Sequence, residues 1–183
     1  MAMCRPWSSA TVLASSPKSR AAGWPAAFLR ARIGLVGASQ AGWIIPVAAA
    51  RARPAFMIIL AGPTVSVGEE IFYSDLVERT TRPLELADRE LLTFSGDRGF
   101  DPRPVLQSID VPGLWLLGDN DRSIPIPVTV GILRELASGG KPFAHVVFPG
   151  VGHDLAGAPF WDEIDRWLPG ALPGWVADSS PPK

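Results

Sequence analysis

Three short runs of consecutive apolar residues, and a fourth that His145 interrupts, alternate along the chain with segments of helical periodicity. The runs are IGLVG at 33–37, AFMIIL at 55–60, PGLWLLG at 112–118 and KPFAHVVFPG at 141–150. Uninterrupted apolar residues are typical of parallel strands that are covered on both faces. Helical segments between such strands indicate βαβ units. We therefore predict an α/β fold, a mostly parallel sheet with helices on both faces.

A charged segment interrupts this alternation between residues 67 and 100. It is rich in Glu, Asp and Arg and contains two stretches with helical spacing, GEEIFYSDLVER and LELADRELLTF. We predict that it forms a small helical insertion on the edge of the sheet.

The two ends of the chain differ in composition from the middle. Residues 1–22 contain two prolines and repeated serines without periodicity, which predicts an irregular leader. The run PAAFLRAR at 25–32 has the spacing of an amphipathic helix. We predict one domain over residues 23–170, followed by a flexible Pro/Gly/Ser-rich tail at 171–183.

Composition and charge narrow the function classes. Hydrophobic residues make up 47% of the chain and charged residues 19%, as in globular proteins. The net charge of −1 and the dispersed arginines of the leader disfavour nucleic-acid binding. The single Cys4 cannot form an internal disulfide, and no apolar stretch reaches the roughly 20 residues that a bilayer needs. We expect a cytoplasmic protein that does not enter a membrane.

The inventory of ligand-forming residues argues against a metal or nucleotide site. Two histidines and one cysteine do not complete a zinc site, and no phosphate-binding G-x-x-x-x-G-K-[ST] motif occurs. We expect neither a metal nor a cofactor.

Ser39 lies in a turn of small residues, GASQAG at 37–42, between the first predicted strand and a helix. Such a turn resembles a nucleophile elbow, in which strained backbone lifts the serine hydroxyl above the sheet. The backbone N–H of Gln40, at the start of the helix, could then donate to a developing oxyanion. Ala41 stands where the G-x-S-x-G pattern has its second glycine. Alternatively, Ser39 is one of the small residues of an ordinary glycine-rich turn.

Two further loops follow the third and fourth predicted strands. The first, GDNDRSIP, offers Asp119 and Asp121 as acids, although such residues often only form a turn and cap the next helix. We assign that turn-forming role to Asp119. The second, FPGVGHD, carries His153, whereas His145 lies within a strand and is expected to be a packing or surface residue. The carboxyl ends of parallel strands are where such sheets place their chemistry.

The segments GLVGASQAGWIIP, LLGDNDRSIP and FPGVGHDL resemble the nucleophile elbow, acid turn and histidine loop of the α/β-hydrolase superfamily. They are most similar to its dienelactone-hydrolase-like and dipeptidyl-aminopeptidase-like branch of bacterial esterases and peptidases. The resemblance covers about residues 24–170. It implies Ser39 as nucleophile, Asp121 as acid, His153 as general base and the Gln40 N–H as an oxyanion-hole donor.

The resemblance also implies what the chain lacks. In the superfamily, strands before the elbow supply a second oxyanion donor from a loop often written His-Gly-Gly, and only about 32 residues precede the first predicted strand here. We therefore expect an N-terminally truncated member that could self-associate through an exposed sheet edge. The insertion would correspond to a lid, with apolar residues that either line a substrate pocket or merely pack its helices: Phe72, Tyr73, Leu76 and Phe94.

Two functions follow. The first is a serine hydrolase that cleaves a small ester, thioester or amide substrate through an acyl-enzyme. The alternative is a hydrolase fragment that is inactive, or that needs a partner chain to complete its sheet and its oxyanion hole.

Overall fold

The computed structural model describes residues 33–80 and 82–172, and within them the chain forms one parallel sheet. Its strands are β1 (Gly34–Ala38), β2 (Phe56–Leu60), β3 (Gly113–Gly118) and β4 (Phe143–Phe148). They lie in chain order β1-β2-β3-β4, and every neighbouring pair is parallel. The predicted α/β fold is confirmed. The predicted leader, the helix at 25–32 and residues 173–183 of the tail lie outside the described residues.

In the described residues, six α-helices connect or flank the strands. They are α1 (Ala41–Ala52), α2 (Val67–Ser74), α3 (Leu84–Leu91), α4 (Arg103–Ser108), α5 (Ile126–Ser138) and α6 (Phe160–Ala171). A π-helical turn, Asp75–Arg79, continues α2 directly. Helix α6 continues past Pro169 and ends at Ala171, the first residue of the predicted tail.

The core has one layer on each face of the sheet. On one face, α1, α4 and α5 cover alternate strand residues such as Ile59 and Trp115. On the other face, α6 covers the intervening residues, among them Ile58 and Leu114. Because β2 and β3 are buried on both faces, their sequences are apolar without interruption.

Strand β1 is less buried than its apolar sequence predicts. In the described part of the chain it pairs only with β2, and Leu35 and Val36 are half-buried. The neighbouring Ile33 is 42% exposed. Among residues 33–80 and 82–172, this border of the sheet therefore presents unpaired backbone groups and apolar surface together.

The segment at 67–100 is helical, as predicted. Its helices pack on one another around four buried residues: Tyr73, Val77, Ala87 and Leu91. The rings of Phe72 and Phe94 lie 5.3 Å apart in the same cluster. The pocket candidates of this segment thus contribute mainly to its internal packing.

A buried carboxylate joins the two ends of this segment. Glu69 accepts hydrogen bonds from the backbone N–H and hydroxyl of Ser66, which caps α2, and from the side chains of Arg98 and Arg103. Burial alone would raise the pKa of Glu69, but the Ser66 hydrogen bonds and the two guanidinium groups hold it below its usual value. The start of the insertion is therefore fastened to the segment at 98–103 that follows its helices.

Candidate active site

Ser39 occupies a strained turn directly beyond β1. Its φ of 55° lies in the left-handed region, which a residue with a side chain adopts at a cost. The turn is held on both sides, because the Ser39 N–H donates to the Leu60 carbonyl at 2.8 Å and the Ser39 carbonyl accepts from Gly42 at 3.0 Å. This is the geometry that a nucleophile elbow requires.

At the elbow, neighbouring atoms leave no room for a side chain at Gly42 or at Gly37. A Cβ at Gly42 would lie 2.3 Å from the Pro63 carbonyl oxygen, a backbone atom with little freedom to move. A Cβ at Gly37 would lie 2.8 Å from the methyl group of Ala41, which is itself buried. The turn therefore accommodates Ala41 and requires glycine one position later, a constraint that the sequence analysis missed.

The structure brings Ser39, His153 and Asp121 into one hydrogen-bonded chain. The His153 Nε2 lies 3.1 Å from the Ser39 Oγ, and the His153 Nδ1 lies 2.8 Å from Asp121 Oδ2. These residues follow β1, β4 and β3 respectively, so the parallel sheet collects them at one edge. Their catalytic role remains a prediction, but the geometry meets its requirements.

Asp121 is fully buried and its carboxylate is held by more than the histidine. Its second oxygen, Oδ1, accepts backbone N–H groups from Ser123 at 2.8 Å and Ile124 at 2.9 Å. Both oxygens are therefore occupied. The orientation of Asp121 towards His153 is set by the backbone of its own loop.

Asp119 lies in the turn after β3, as predicted, where the Asp121 N–H donates to the Gly118 carbonyl at 3.3 Å, but its side chain does not cap the next helix. Helix α5 has no side-chain cap, and the backbone N–H groups of the turn bind Asp121 instead. Asp119 Oδ1 accepts the Gly150 N–H from the loop after β4 at 2.6 Å. Short-range turn signals could not reveal this contact, because it joins residues 31 positions apart.

The backbone N–H of Gln40 donates to no acceptor in residues 33–80 or 82–172, whereas the Gln40 carbonyl accepts from Trp43 and Ile44 in the first turn of α1. An N–H group at a helix N-terminus, next to the proposed nucleophile, is available for an anionic oxygen.

The charges around His153 favour its protonated form. The hydrogen bond that His153 donates to Asp121 raises the pKa of His153 despite partial burial, and the negative charges of Asp121, Glu70 and Glu78 act in the same direction. Burial raises the pKa of the Glu70 carboxyl to about 7; the His153 charge opposes this shift, and Glu78 and Asp121 add to it. Glu70 lies in α2, and sequence reasoning did not identify it.

His145 lies within β4, half-buried, where burial and the Arg134 charge lower its pKa. Among the described residues, no group of three or more His, Cys, Asp or Glu side chains is arranged to hold a metal ion. No helix in the same part of the chain is long and apolar enough to cross a membrane.

Comparison with known proteins finds similarity in structure only. No family model and no curated protein matches the chain. Its structure is similar to Pyrococcus horikoshii acylaminoacyl peptidase (TM-score 0.57, 18% identity) and to an esterase from Pyrococcus furiosus (TM-score 0.55, 15% identity). It is also similar to a bacterial membrane phospholipase A, with a TM-score of 0.54 and 21% identity.

The chain has part of the α/β-hydrolase fold. The matches cover 82%, 76% and 78% of this chain, in the same order. They cover 26% of the peptidase, 54% of the esterase and 58% of the phospholipase. The α/β-hydrolase fold described here is thus shared with a quarter to somewhat more than half of each of these proteins.

Proposed function

We propose that this chain carries the nucleophile of a serine hydrolase that cleaves an ester, thioester or amide through an acyl-enzyme. The observation that supports it most strongly is the continuous hydrogen-bonded path from Asp121 through His153 to Ser39. A serine hydroxyl is a weak nucleophile on its own and needs a base within hydrogen-bond reach, with a third group that orients the base.

In this mechanism Ser39 Oγ attacks the substrate carbonyl carbon while its proton moves to His153 Nε2. Asp121 accepts the Nδ1 hydrogen bond, which fixes the tautomer and stabilises the imidazolium that forms. The Gln40 N–H donates to the oxygen that becomes negative. His153 then returns the proton to the leaving group as the carbon–oxygen, carbon–sulfur or carbon–nitrogen bond breaks. Water, activated by His153, hydrolyses the acyl-Ser39 bond by the reverse sequence.

The class of substrate is a further proposal. The resemblance of the three motifs to dienelactone-hydrolase-like and dipeptidyl-aminopeptidase-like enzymes favours a small acyl substrate. Two of the structurally similar proteins are named as a peptidase and an esterase.

A second candidate is a hydrolase part that needs a partner chain for activity. It is favoured by β1, which pairs only with β2 in the described part of the chain and leaves one edge open. A partner strand there could bring the second oxyanion donor. Loss of one such donor costs about 10²–10³ in kcat.

A fluorophosphonate probe tests the nucleophile directly, because it forms a covalent bond with an activated serine. We expect mass spectrometry to place the label on Ser39 and Ser39→Ala to abolish it. Ser108→Ala, which alters an exposed serine at the end of α4, is the matched control and should be labelled normally. Label that persists in Ser39→Ala would exclude Ser39 as the nucleophile. Labelling of Ser39 without turnover of p-nitrophenyl acetate would favour the partner-dependent candidate.

A further inference from the structure

The loops that carry Asp121 and His153 are joined side by side. The acid loop is residues 119–125 and the histidine loop is residues 149–155. The Asp119 N–H donates to the Phe148 carbonyl at 3.2 Å, and the Asn120 N–H donates to the Val151 carbonyl at 3.0 Å. These bonds continue the pairing of β3 with β4 beyond the ends of the strands.

One side-chain bond supplements this backbone contact. Asp119 Oδ1 accepts the Gly150 N–H at 2.6 Å, at a residue whose φ of 72° lies in the left-handed region. Hydrogen bonds to a carboxylate are shorter and stronger than those between neutral groups. The end of β3 also approaches the histidine loop closely, since a Cβ at Gly118 would lie 2.2 Å from the Val151 carbonyl oxygen.

The other end of the histidine loop is fixed differently. Leu155 is 2% exposed within the core layer beneath α6 and has a φ of 53°. Its N–H donates to the Gly152 carbonyl at 3.1 Å. His153 thus lies between Leu155, which is buried in the core, and Gly150, which is hydrogen-bonded to Asp119.

We propose that Asp119 is a positioning residue for His153, an inference that rests on the proposed hydrolase function. The imidazole must keep Nδ1 within reach of Asp121 and Nε2 within reach of Ser39 at the same time. Asp119 limits the displacement of the histidine loop in the plane of the sheet, and so holds both distances. It touches neither the substrate nor the reacting atoms.

The test compares Asp119→Ala, Asp119→Asn and Asp154→Ala. Asp119→Ala removes both the acceptor and the charge, whereas asparagine removes only the charge and keeps an oxygen that can accept the Gly150 N–H. Asp154 lies in the same loop, but among the described residues its carboxylate accepts a hydrogen bond only from the nearby Ala156 N–H, at 3.0 Å. Asp154→Ala is therefore the control for loss of an acid beside His153.

Two measurements are made on each variant. The first follows the His153 ring by NMR, through its Nδ1 proton and its titration, and needs no turnover. In Asp119→Ala we expect the Nδ1 resonance to broaden and the pKa of His153 to fall towards its ordinary value. The second measures p-nitrophenyl acetate hydrolysis, where we expect kcat to fall by about tenfold to a hundredfold with KM little changed. Asp119→Asn and Asp154→Ala should resemble the unmodified chain in both.

The proposal is overturned if Asp119→Ala leaves the His153 signals and kcat like those of Asp154→Ala. It is also overturned if Asp119→Asn is as damaging as Asp119→Ala, because the charge rather than the bond would then be responsible. If the unmodified chain shows no turnover, the NMR comparison still decides the positioning role. A shift confined to Asp119→Ala would then support the positioning role. The absence of turnover would count separately against the proposed hydrolase activity.

Discussion

Asp121 and His153 share a 2.8 Å hydrogen bond in which the carboxylate is completely buried while the imidazole is 34% exposed. The two partners therefore differ in freedom. Asp121 cannot turn away, because two backbone N–H groups hold its other oxygen. His153 is open to solvent on one side, where a substrate and a hydrolytic water can approach it. A fixed carboxylate and an accessible imidazole suit the roles that we propose for Asp121 and His153.

The two aspartates of the acid loop should respond differently to substitution by asparagine. Asp121→Asn removes the charge that stabilises the imidazolium and favours the wrong tautomer, so kcat should fall by about 10³–10⁴. Asp119→Asn keeps its acceptor and should change kcat by less than about threefold. Steady-state hydrolysis of p-nitrophenyl acetate compares them. A severe effect at Asp119 with a mild one at Asp121 would reverse the assignment of the acid.

His153→Ala should lower kcat as strongly as Ser39→Ala, and the double variant should be no worse than either single variant. This follows because the nucleophile and its base act as a unit. The measurement is the residual rate of each variant above the uncatalysed reaction. Losses that simply add in the double variant would show that His153 acts independently of Ser39.

Glu70→Gln should move the acid limb of the pH–rate profile to lower pH. His153 must be neutral to accept the serine proton, so activity falls as pH drops through the raised pKa of His153. The negative charge of Glu70 contributes to that rise, and its removal lowers the pKa of His153. Glu85→Gln, in the exposed first turn of α3, is the control. Equal profiles for Glu70→Gln and the unmodified chain would show that the charge of Glu70 does not raise the pKa of His153.

Gly42→Ala should destabilise the fold while Gly131→Ala stabilises it. The new methyl group at residue 42 would lie against the Pro63 backbone, at a cost of about 1–3 kcal/mol. At residue 131, within α5, a Cβ meets nothing within 4 Å, and alanine should add about 0.5–1 kcal/mol. Urea unfolding measures both. If Gly42→Ala left the free energy of unfolding unchanged, α1 would have to be able to move away from the loop after β2.

The border of the sheet at β1 should cause the chain to self-associate. Within the described residues it combines an open strand edge with apolar surface, including Ile33 at 42% exposure. Ile33→Glu should shift sedimentation velocity profiles towards the monomer. Leu86→Glu, at a 44% exposed site on α3, is the control and should not. A monomer without any substitution would argue against this interface.

Much of the fold was predictable from local sequence patterns. The four strands were found to within a residue or two, because β2 and β3 are covered on both faces and their apolar runs are unbroken. Ser39 and His153 could be singled out because a small-residue turn and a glycine-flanked loop follow strands. Asp121 was separated from Asp119 only through the resemblance to a family.

The remaining features depend on contacts between distant parts of the chain. The hydrogen bond between the Asp119 side chain and Gly150 depends on the packing of two loops, which no local signal reports. The influence of Glu70 on His153 depends on how α2 lies over the sheet. The glycine requirement at residue 42 arises from Pro63, 21 residues further along.

Ser39 and His153 are 114 residues apart in the chain but share one hydrogen bond. Strands β2 and β3 lie between their strands in the sheet, so a continuous span of four strands determines their separation. If one strand slips against its neighbour by one residue, its residues move by about 3.3 Å, which is more than that hydrogen bond tolerates. The bond between the two side chains is consequently a gauge of registry across the whole sheet, and its presence in solution would report that every strand is correctly aligned.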